Sequence, residues 1–94
     1  MNRYTTLHAS GDLAAREQLV KGAQKRLEYL ARRMLRGFPN VQRFEGTDDV
    51  LQNALMRLFR SLEKIEPAST RELLSLAAVE IRRELLDLAR HYYG

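Results

Sequence analysis

The chain has 94 residues, which predicts one domain with a single modest core. It has no cysteine, which excludes a disulfide framework and thiolate metal sites, and no apolar run reaches the roughly 18 residues of a membrane span. Hydrophobic residues make up 45% of the chain, the net charge is +4 and the N-terminus lacks a signal-peptide pattern, so we expect a folded, mildly basic, cytoplasmic protein.

The N-terminal residues predict a short helix followed by a helix boundary. Tyr4 and Leu7 are the apolar anchors available to a brief helix there. Gly11 can adopt the left-handed conformation that ends a helix, and Asp12 can cap the next one. A longer helix is therefore expected to begin at about Leu13.

Apolar residues at helical spacing predict one long helix over Leu13–Leu35. Gly22 lies inside it and costs about 1 kcal/mol relative to alanine, so it marks either a bend or a close approach. Between residues 14 and 37, seven basic residues stand against two acidic ones, a net charge of +5 that leaves the rest of the chain nearly neutral. The apolar positions of this helix are Leu19, Val20, Ala23, Leu27, Leu30, Ala31, Met34 and Leu35.

The run from Gly37 to Gly46 predicts a loop, and the next helix is expected over Thr47–Leu62. Phe44 is the candidate to plug this loop into the core, and Thr47 can cap the helix. The expected core stripe of the helix is Leu51, Ala54, Leu55, Leu58 and Leu62, continued by Ile65. A second line, in which large apolar side chains lie among short polar ones, is typical of a protein-docking face and consists of Asp49, Gln52, Asn53, Met56 and Phe59.

A last helix is expected after a loop over residues 65–68. Ser69 and Glu72 match the S-x-x-E capping box, and helical spacing continues to about Tyr92. No strand-like alternation appears, so the predicted fold is all-α: a compact bundle of three main helices plus a short N-terminal helix, in a single domain over residues 1–94. The core stripe of the last helix is Leu74, Ala77, Ala78, Ile81, Leu85, Leu88 and Tyr92.

Three segments resemble one protein family. The run DVLQNALMRLF, from Asp49 to Phe59, resembles the pattern D-[LIV]-[LIV]-Q-[DE]-x-[FL]-[LI]-[RK]-[LA]-[WYF] of region 2.2 in bacterial sigma-70 factors, especially the extracytoplasmic-function (ECF) group. Residues 7–36 resemble the family's L-x-x-G-D-x-x-A-x-x-x-L start and its basic helix ending in LARRxL, and residues 73–90 resemble regions 2.3 and 2.4. The match covers nearly the whole chain as one region 2 domain. Region 4 is absent from this chain, and whether it was removed or is naturally missing stays open.

The sequence departs from the family pattern at four positions. Asn53 stands where an acid is usual, and Arg83 replaces the asparagine of an R-N pair whose arginine is Arg82. Leu73 and Leu76 stand where aromatic residues commonly open region 2.3. These departures concern base capture and the polymerase contact, so the promoter sequence is not readable from the chain.

The resemblance implies a region 2 that binds the RNA polymerase core and recognises and melts the promoter −10 element during transcription initiation. Docking on the clamp helices of the β′ subunit is implied for the line Asp49, Gln52, Asn53, Met56 and Phe59, and an anti-sigma factor is a further partner that the family allows. Unstacked −10 bases would be held in pockets, without chemistry or a cofactor. The implied DNA-contacting residues are Arg71, Arg82, Arg83, Arg90, Lys25, Arg32, Arg33 and Arg36.

Other interpretations of these residues stay open. The basic side can be an ordinary solvated face, and Arg83–Asp87 and Asp87–His91 are spaced as surface ion pairs. Met56 and Phe59 can serve packing instead of docking. The chain would then be either a helical protein-interaction module (a degenerate sigma-like domain) without DNA binding, or another type of helical DNA-binding domain.

No catalytic or metal-ligand pattern appears in the sequence. His8 and His91 lie at opposite ends of the chain without ligand spacing to acids, and no nucleophile, phosphate-binding glycine loop or paired carboxylates are apparent. We therefore expect a binding protein and not an enzyme.

Overall fold

The computed structural model describes residues 12–93, and side chains from residue 14 to residue 92. Five helices make up this part of the chain, and no strand occurs in it, which confirms the all-α prediction. The predictions for Tyr4, Leu7, Gly11 and the Asp12 cap lie outside the described side chains. The helices are α1 (Asp12–Gly22), α2 (Gln24–Leu35), α3 (Pro39–Gln42), α4 (Thr47–Leu62) and α5 (Thr70–Tyr93).

The single helix predicted over Leu13–Leu35 is divided at Ala23, between α1 and α2. Ala23 has φ −103° and ψ 10°, and its N–H donates to the Val20 carbonyl three residues back, at 3.1 Å. A Cβ added at Gly22 would meet no atom within 4 Å. Of the two roles expected for Gly22, the structure therefore shows the bend, and no neighbouring atom packs closely against this glycine.

The loop predicted from Gly37 to Gly46 contains the short helix α3, which the sequence interpretation missed. Pro39 stands at its start, where a fixed φ favours a helical turn and a missing N–H costs nothing. This turn buries Val41 completely, while Phe44 is 62% exposed. The prediction that Phe44 plugs the core is therefore wrong, because the helical turn places Val41 in that position.

Helix α4 begins and ends as predicted, but its cap and its core stripe differ in detail. Gly46 is the N-cap and Thr47 is already helical, without a side-chain capping bond. Leu51, Ala54, Leu58 and Leu62 are buried as expected, Leu55 is half-buried, and the unpredicted Val50 is fully buried. Ile65 is 49% exposed because the helix ends before it, so the expected continuation of the stripe is wrong.

The predicted capping box at the start of α5 is confirmed, with one bond displaced. The Ser69 hydroxyl accepts from the Glu72 N–H at 3.2 Å, and the Glu72 carboxylate accepts from the Ala68 N–H at 3.1 Å, where Ser69 would be the usual donor. Ala77, Ile81 and Leu85 are buried as predicted, and Leu73 joins them. The other predicted stripe residues, Leu74, Ala78, Leu88 and Tyr92, are half-buried.

The core lies where α2, α4 and α5 meet. Helix α5 packs along α4, both pack on α2, and α3 closes against α5. Within residues 12–93, no helix is both long enough and apolar enough to cross a bilayer. This arrangement leaves one outward face on α4 and a groove on each side of α2, and these three surfaces carry most of the predicted site residues.

Candidate protein-docking and nucleic-acid surfaces

The outward face of α4 keeps only part of the predicted docking line. Asp49 and Gln52 are exposed, and Met56 is 57% exposed although it is a large apolar side chain. Arg60, one turn beyond Met56, is also exposed and extends the same face. The i, i+4 spacing from Met56 could have identified it. We call Asp49, Gln52, Met56 and Arg60 the docking face.

The two remaining residues of the predicted line have partners inside the domain. The Asn53 amide donates to the Glu84 carboxylate at 3.0 Å, so it faces α5. Phe59 is half-buried and packs against the core. Asn53 stays exposed beside the docking face while Glu84 holds its amide, and only Phe59 is partly covered by the core.

A polar seam joins α4 to α5. Glu80 and Glu84 are buried, and each accepts a hydrogen bond from α4: Ser61 reaches Glu80 at 2.9 Å, and Asn53 reaches Glu84. Buried carboxylates require such partners, because burial removes their hydration. Positions 53, 57 and 61, one turn apart, therefore form the α4 side of this seam.

Arg57 is the central cation of the seam. Its guanidinium lies 3.3 Å from Glu84 and donates to Asp87. The hydrogen bond to Asp87 is the main cause that raises the pKa of Arg57 above its usual value, with the charges of Asp87 and Glu84 adding to it and burial opposing it. Arg57 therefore stays charged and joins the two helices electrostatically.

The predicted DNA-contacting arginines of α5 fall into two sets. Arg83 donates to the buried Glu80 at 3.2 Å, and Arg90 donates to Asp87 at 3.0 Å. The i, i+4 pair predicted between Arg83 and Asp87 is therefore replaced by i, i+3 pairs, since Asp87 is already held by Arg57 and Arg90. Arg71 and Arg82 have no carboxylate partner within the described part of the chain.

An open groove runs between α2 and α5. One part of it, about 640 Å³ in volume, is lined by Lys25, Arg26, Tyr29, Leu30, Arg71, Leu74, Ser75 and Ala78. The adjoining part, about 520 Å³, is lined by Leu30, Arg33, Met34, Gly37, Phe38 and Arg82. Leu30 belongs to both, so the two parts adjoin at this side chain. We call them together the basic groove.

The basic groove combines five cations with an apolar floor. Lys25, Arg26, Arg33, Arg71 and Arg82 line it, and no carboxylate does. None of these cations forms an ion pair with a carboxylate of residues 14–92. Arg32 on α2 and Arg36 just after its end are exposed but line neither part. The fold therefore divides the predicted basic residues of this segment: Lys25 and Arg33 line the groove beside α5, whereas Arg32 and Arg36 do not.

The groove on the other side of α2 has the opposite character. It lies between α2 and α4, has a volume of about 420 Å³, and is lined by Gln24, Glu28, Asp48, Leu51, Gln52 and Leu55. Gln24 donates to Glu28 at 3.2 Å. Because Gln52 also belongs to the docking face, this acidic groove and the docking face are continuous.

Aromatic side chains close the end of the bundle where α5 terminates. The rings of Phe44 and Tyr92 stack with centroids 4.7 Å apart, and His91 meets Tyr92 edge-on at 4.9 Å. The Tyr92 hydroxyl donates to Glu45 at 2.6 Å, and this bond is the main cause that raises the pKa of Tyr92, with burial and the Glu45 charge adding to it. Tyr92 therefore seals the bundle end and fixes the loop before α4.

In comparisons with known proteins, no family model, curated protein or solved structure matches the chain.

Proposed function

We propose that this chain is a sigma-factor region 2 domain of the ECF type. It binds the RNA polymerase core through the β′ clamp helices and recognises and melts the promoter −10 element. The observation that supports this function best is the placement of the motif residues. Asp49, Gln52 and Met56 are exposed together on α4, away from the basic groove between α2 and α5.

The docking face suits a helical protein partner. Met56 offers apolar area whose burial is worth roughly 1.5–3 kcal/mol when complete. Asp49, Gln52 and Arg60 surround it with a carboxylate, an amide and a guanidinium that fix orientation. Such an apolar centre with a polar rim is the usual anatomy of a protein interface. The acidic groove that continues from Gln52 extends the face toward a basic partner segment.

The basic groove suits the melted −10 strand. Its cations can neutralise phosphates and release counterions, and its apolar floor can receive base faces that a duplex would keep stacked. Promoter opening then needs no chemistry. Flipping bases out of the duplex costs a few kcal/mol, and the contacts to the displaced strand offset it.

Binding to an isolated fragment of the β′ clamp helices tests the docking half of this function. Met56→Ala, and Asp49→Ala combined with Gln52→Ala, are each expected to weaken binding roughly tenfold or more, because they remove the centre and the rim of the face. The matched control, Arg33→Ala with Arg82→Ala, alters only the basic groove and should bind normally. Circular dichroism establishes that each variant is folded. A folded wild-type domain without affinity for the fragment would contradict the proposed function and favour another protein partner for α4.

A further inference from the structure

Tyr29 is an aromatic side chain that the fold does not use. It is 61% exposed on α2, and no hydrogen bond or ring contact joins it to another side chain of residues 14–92. Tyr92, in contrast, is half-buried, stacked and hydrogen-bonded. Core packing therefore explains Tyr92 but leaves Tyr29 without a role.

The surroundings of Tyr29 have the chemistry of a nucleotide site. Its side chain lines the wider part of the basic groove, beside the apolar floor formed by Leu30, Leu74 and Ala78. Lys25 and Arg33 lie one helical turn before and after it, and Arg71 faces it from α5. The volume of about 640 Å³ is within the range of roughly 300–1,000 Å³ typical of small-molecule sites, so a base and its sugar can be accommodated.

Among the described side chains of α5, up to residue 92, none offers an aromatic surface in the basic groove. Leu73 is fully buried, and Leu76 is half-buried against the core, so neither position lines the groove. Phe44 lies outside the groove, stacked on Tyr92, and Phe38, which does line the groove, is half-buried and packed against the core. Tyr29 is thus the exposed ring that the groove offers.

We propose that Tyr29 is the base-stacking residue of the basic groove. An unstacked base of single-stranded DNA lies on its ring, while Lys25, Arg26 and Arg71 neutralise the adjacent phosphates. This proposal rests on the proposed function and adds to it the residue that holds a base. Single-stranded DNA is favoured over a duplex because only unstacked bases present their faces. It is favoured over an acidic peptide because the groove places an exposed ring and an apolar floor beside its cations, the combination that receives bases next to their phosphates.

The test compares two ligands and three variants by fluorescence anisotropy. The ligands are a short oligothymidylate and an abasic oligomer of the same length, which keeps the phosphates and removes the bases. Tyr29→Ala is expected to weaken oligothymidylate binding about 5- to 100-fold and to leave abasic binding nearly unchanged. Tyr29→Phe keeps the ring and should bind like wild type. Phe44→Ala removes an equally exposed ring outside the groove and should also bind like wild type.

A tryptophan substitution gives a direct readout of stacking. The chain contains no tryptophan, so Tyr29→Trp introduces a single indole whose fluorescence reports on this position alone. Oligothymidylate should quench it, and the abasic oligomer should not. Circular dichroism of each variant confirms that the helices are intact.

The outcomes separate this proposal from the proposed function. If wild type binds oligothymidylate and Tyr29→Ala binds equally well, the stacking role is wrong while nucleic-acid binding stands. If wild type binds neither oligomer, the DNA half of the proposed function fails and the stacking role fails with it. Binding of an acidic amphipathic peptide in place of either oligomer would assign the groove to a protein partner and overturn the proposal.

Discussion

At the scale of single residues, the arginines of α5 differ in what already holds them. Arg83 donates to a buried carboxylate that it helps to neutralise, whereas Arg82 lines the basic groove without a described partner. An arginine that is already paired releases fewer counterions when a phosphate approaches, because its charge is partly balanced beforehand. Two adjacent residues of the same type are therefore expected to contribute unequally to DNA binding.

Substituting these two arginines tests the difference. Arg82→Ala should lower affinity for single-stranded DNA more than Arg83→Ala, and should reduce the slope of log affinity against log salt by about 0.7. Anisotropy titrations across a salt series measure both quantities. The melting temperature should fall more in Arg83→Ala than in Arg82→Ala, because Arg83→Ala leaves the buried Glu80 with Ser61 as its only partner among the described residues. Equal loss of slope in the two variants would contradict this division.

Tyr92 gives a pH prediction at the same scale. Its hydrogen bond to Glu45 raises the pKa of the phenol above its ordinary value of 10.0. Because the folded pKa exceeds the unfolded one, the stabilisation is complete below pH 10 and is lost as the pH rises through the folded pKa. Above pH 10 the melting temperature of wild type should therefore fall faster than that of Tyr92→Phe. If the melting temperatures of the two proteins fall equally with rising pH, the hydrogen bond contributes nothing to stability.

At the scale of helices, the sequence predicts what depends on local spacing. The bounds of α4 and the capping box of α5 follow from periodicity and from side-chain chemistry within a few residues. The burial of Val41 and the exposure of Phe44 do not, because they depend on how a short helical turn is set against α5. Spacing assigned Asn53 and Phe59 to a face, but only the packed bundle determines that Asn53 meets Glu84.

The polar seam between α4 and α5 is expected to contribute stability that sequence spacing would not reveal. Arg57→Ala removes the cation shared by Glu84 and Asp87, and should lower the free energy of unfolding by about 1.5–3 kcal/mol, the usual range for hydrogen bonds to charged groups. Arg60→Ala is the matched control, since Arg60 lies on the same helix, is exposed and has no described ion pair. Urea unfolding measures both. If both variants lose a similar free energy of unfolding, the ion pairs of Arg57 contribute no more to stability than an exposed, unpaired arginine does.

At the scale of the whole molecule, the fold separates charges that the sequence interleaves. Helix α2 carries both signs: Arg26 and Arg33 line the basic groove beside α5, and Glu28 lines the acidic groove beside α4. The two signs meet in a pocket near the start of α2, which Lys25, Arg26 and Glu28 share. The acidic groove then continues into the docking face, and the basic groove lies across α2 from it. A protein partner and a nucleic acid can therefore approach different sides without displacing each other.

Simultaneous occupancy is the prediction that belongs to this scale. With labelled single-stranded DNA bound to the domain, added clamp-helix fragment should raise the anisotropy further, because a larger ternary complex forms. Met56→Ala should reduce that rise at a given fragment concentration while leaving DNA affinity unchanged, since Met56 lies on the docking face and lines no part of the basic groove. A fall in anisotropy would mean that the fragment displaces the DNA, and that the two partners compete for one surface. The separation of charge across α2 would then not provide separate binding sites for a protein and a nucleic acid.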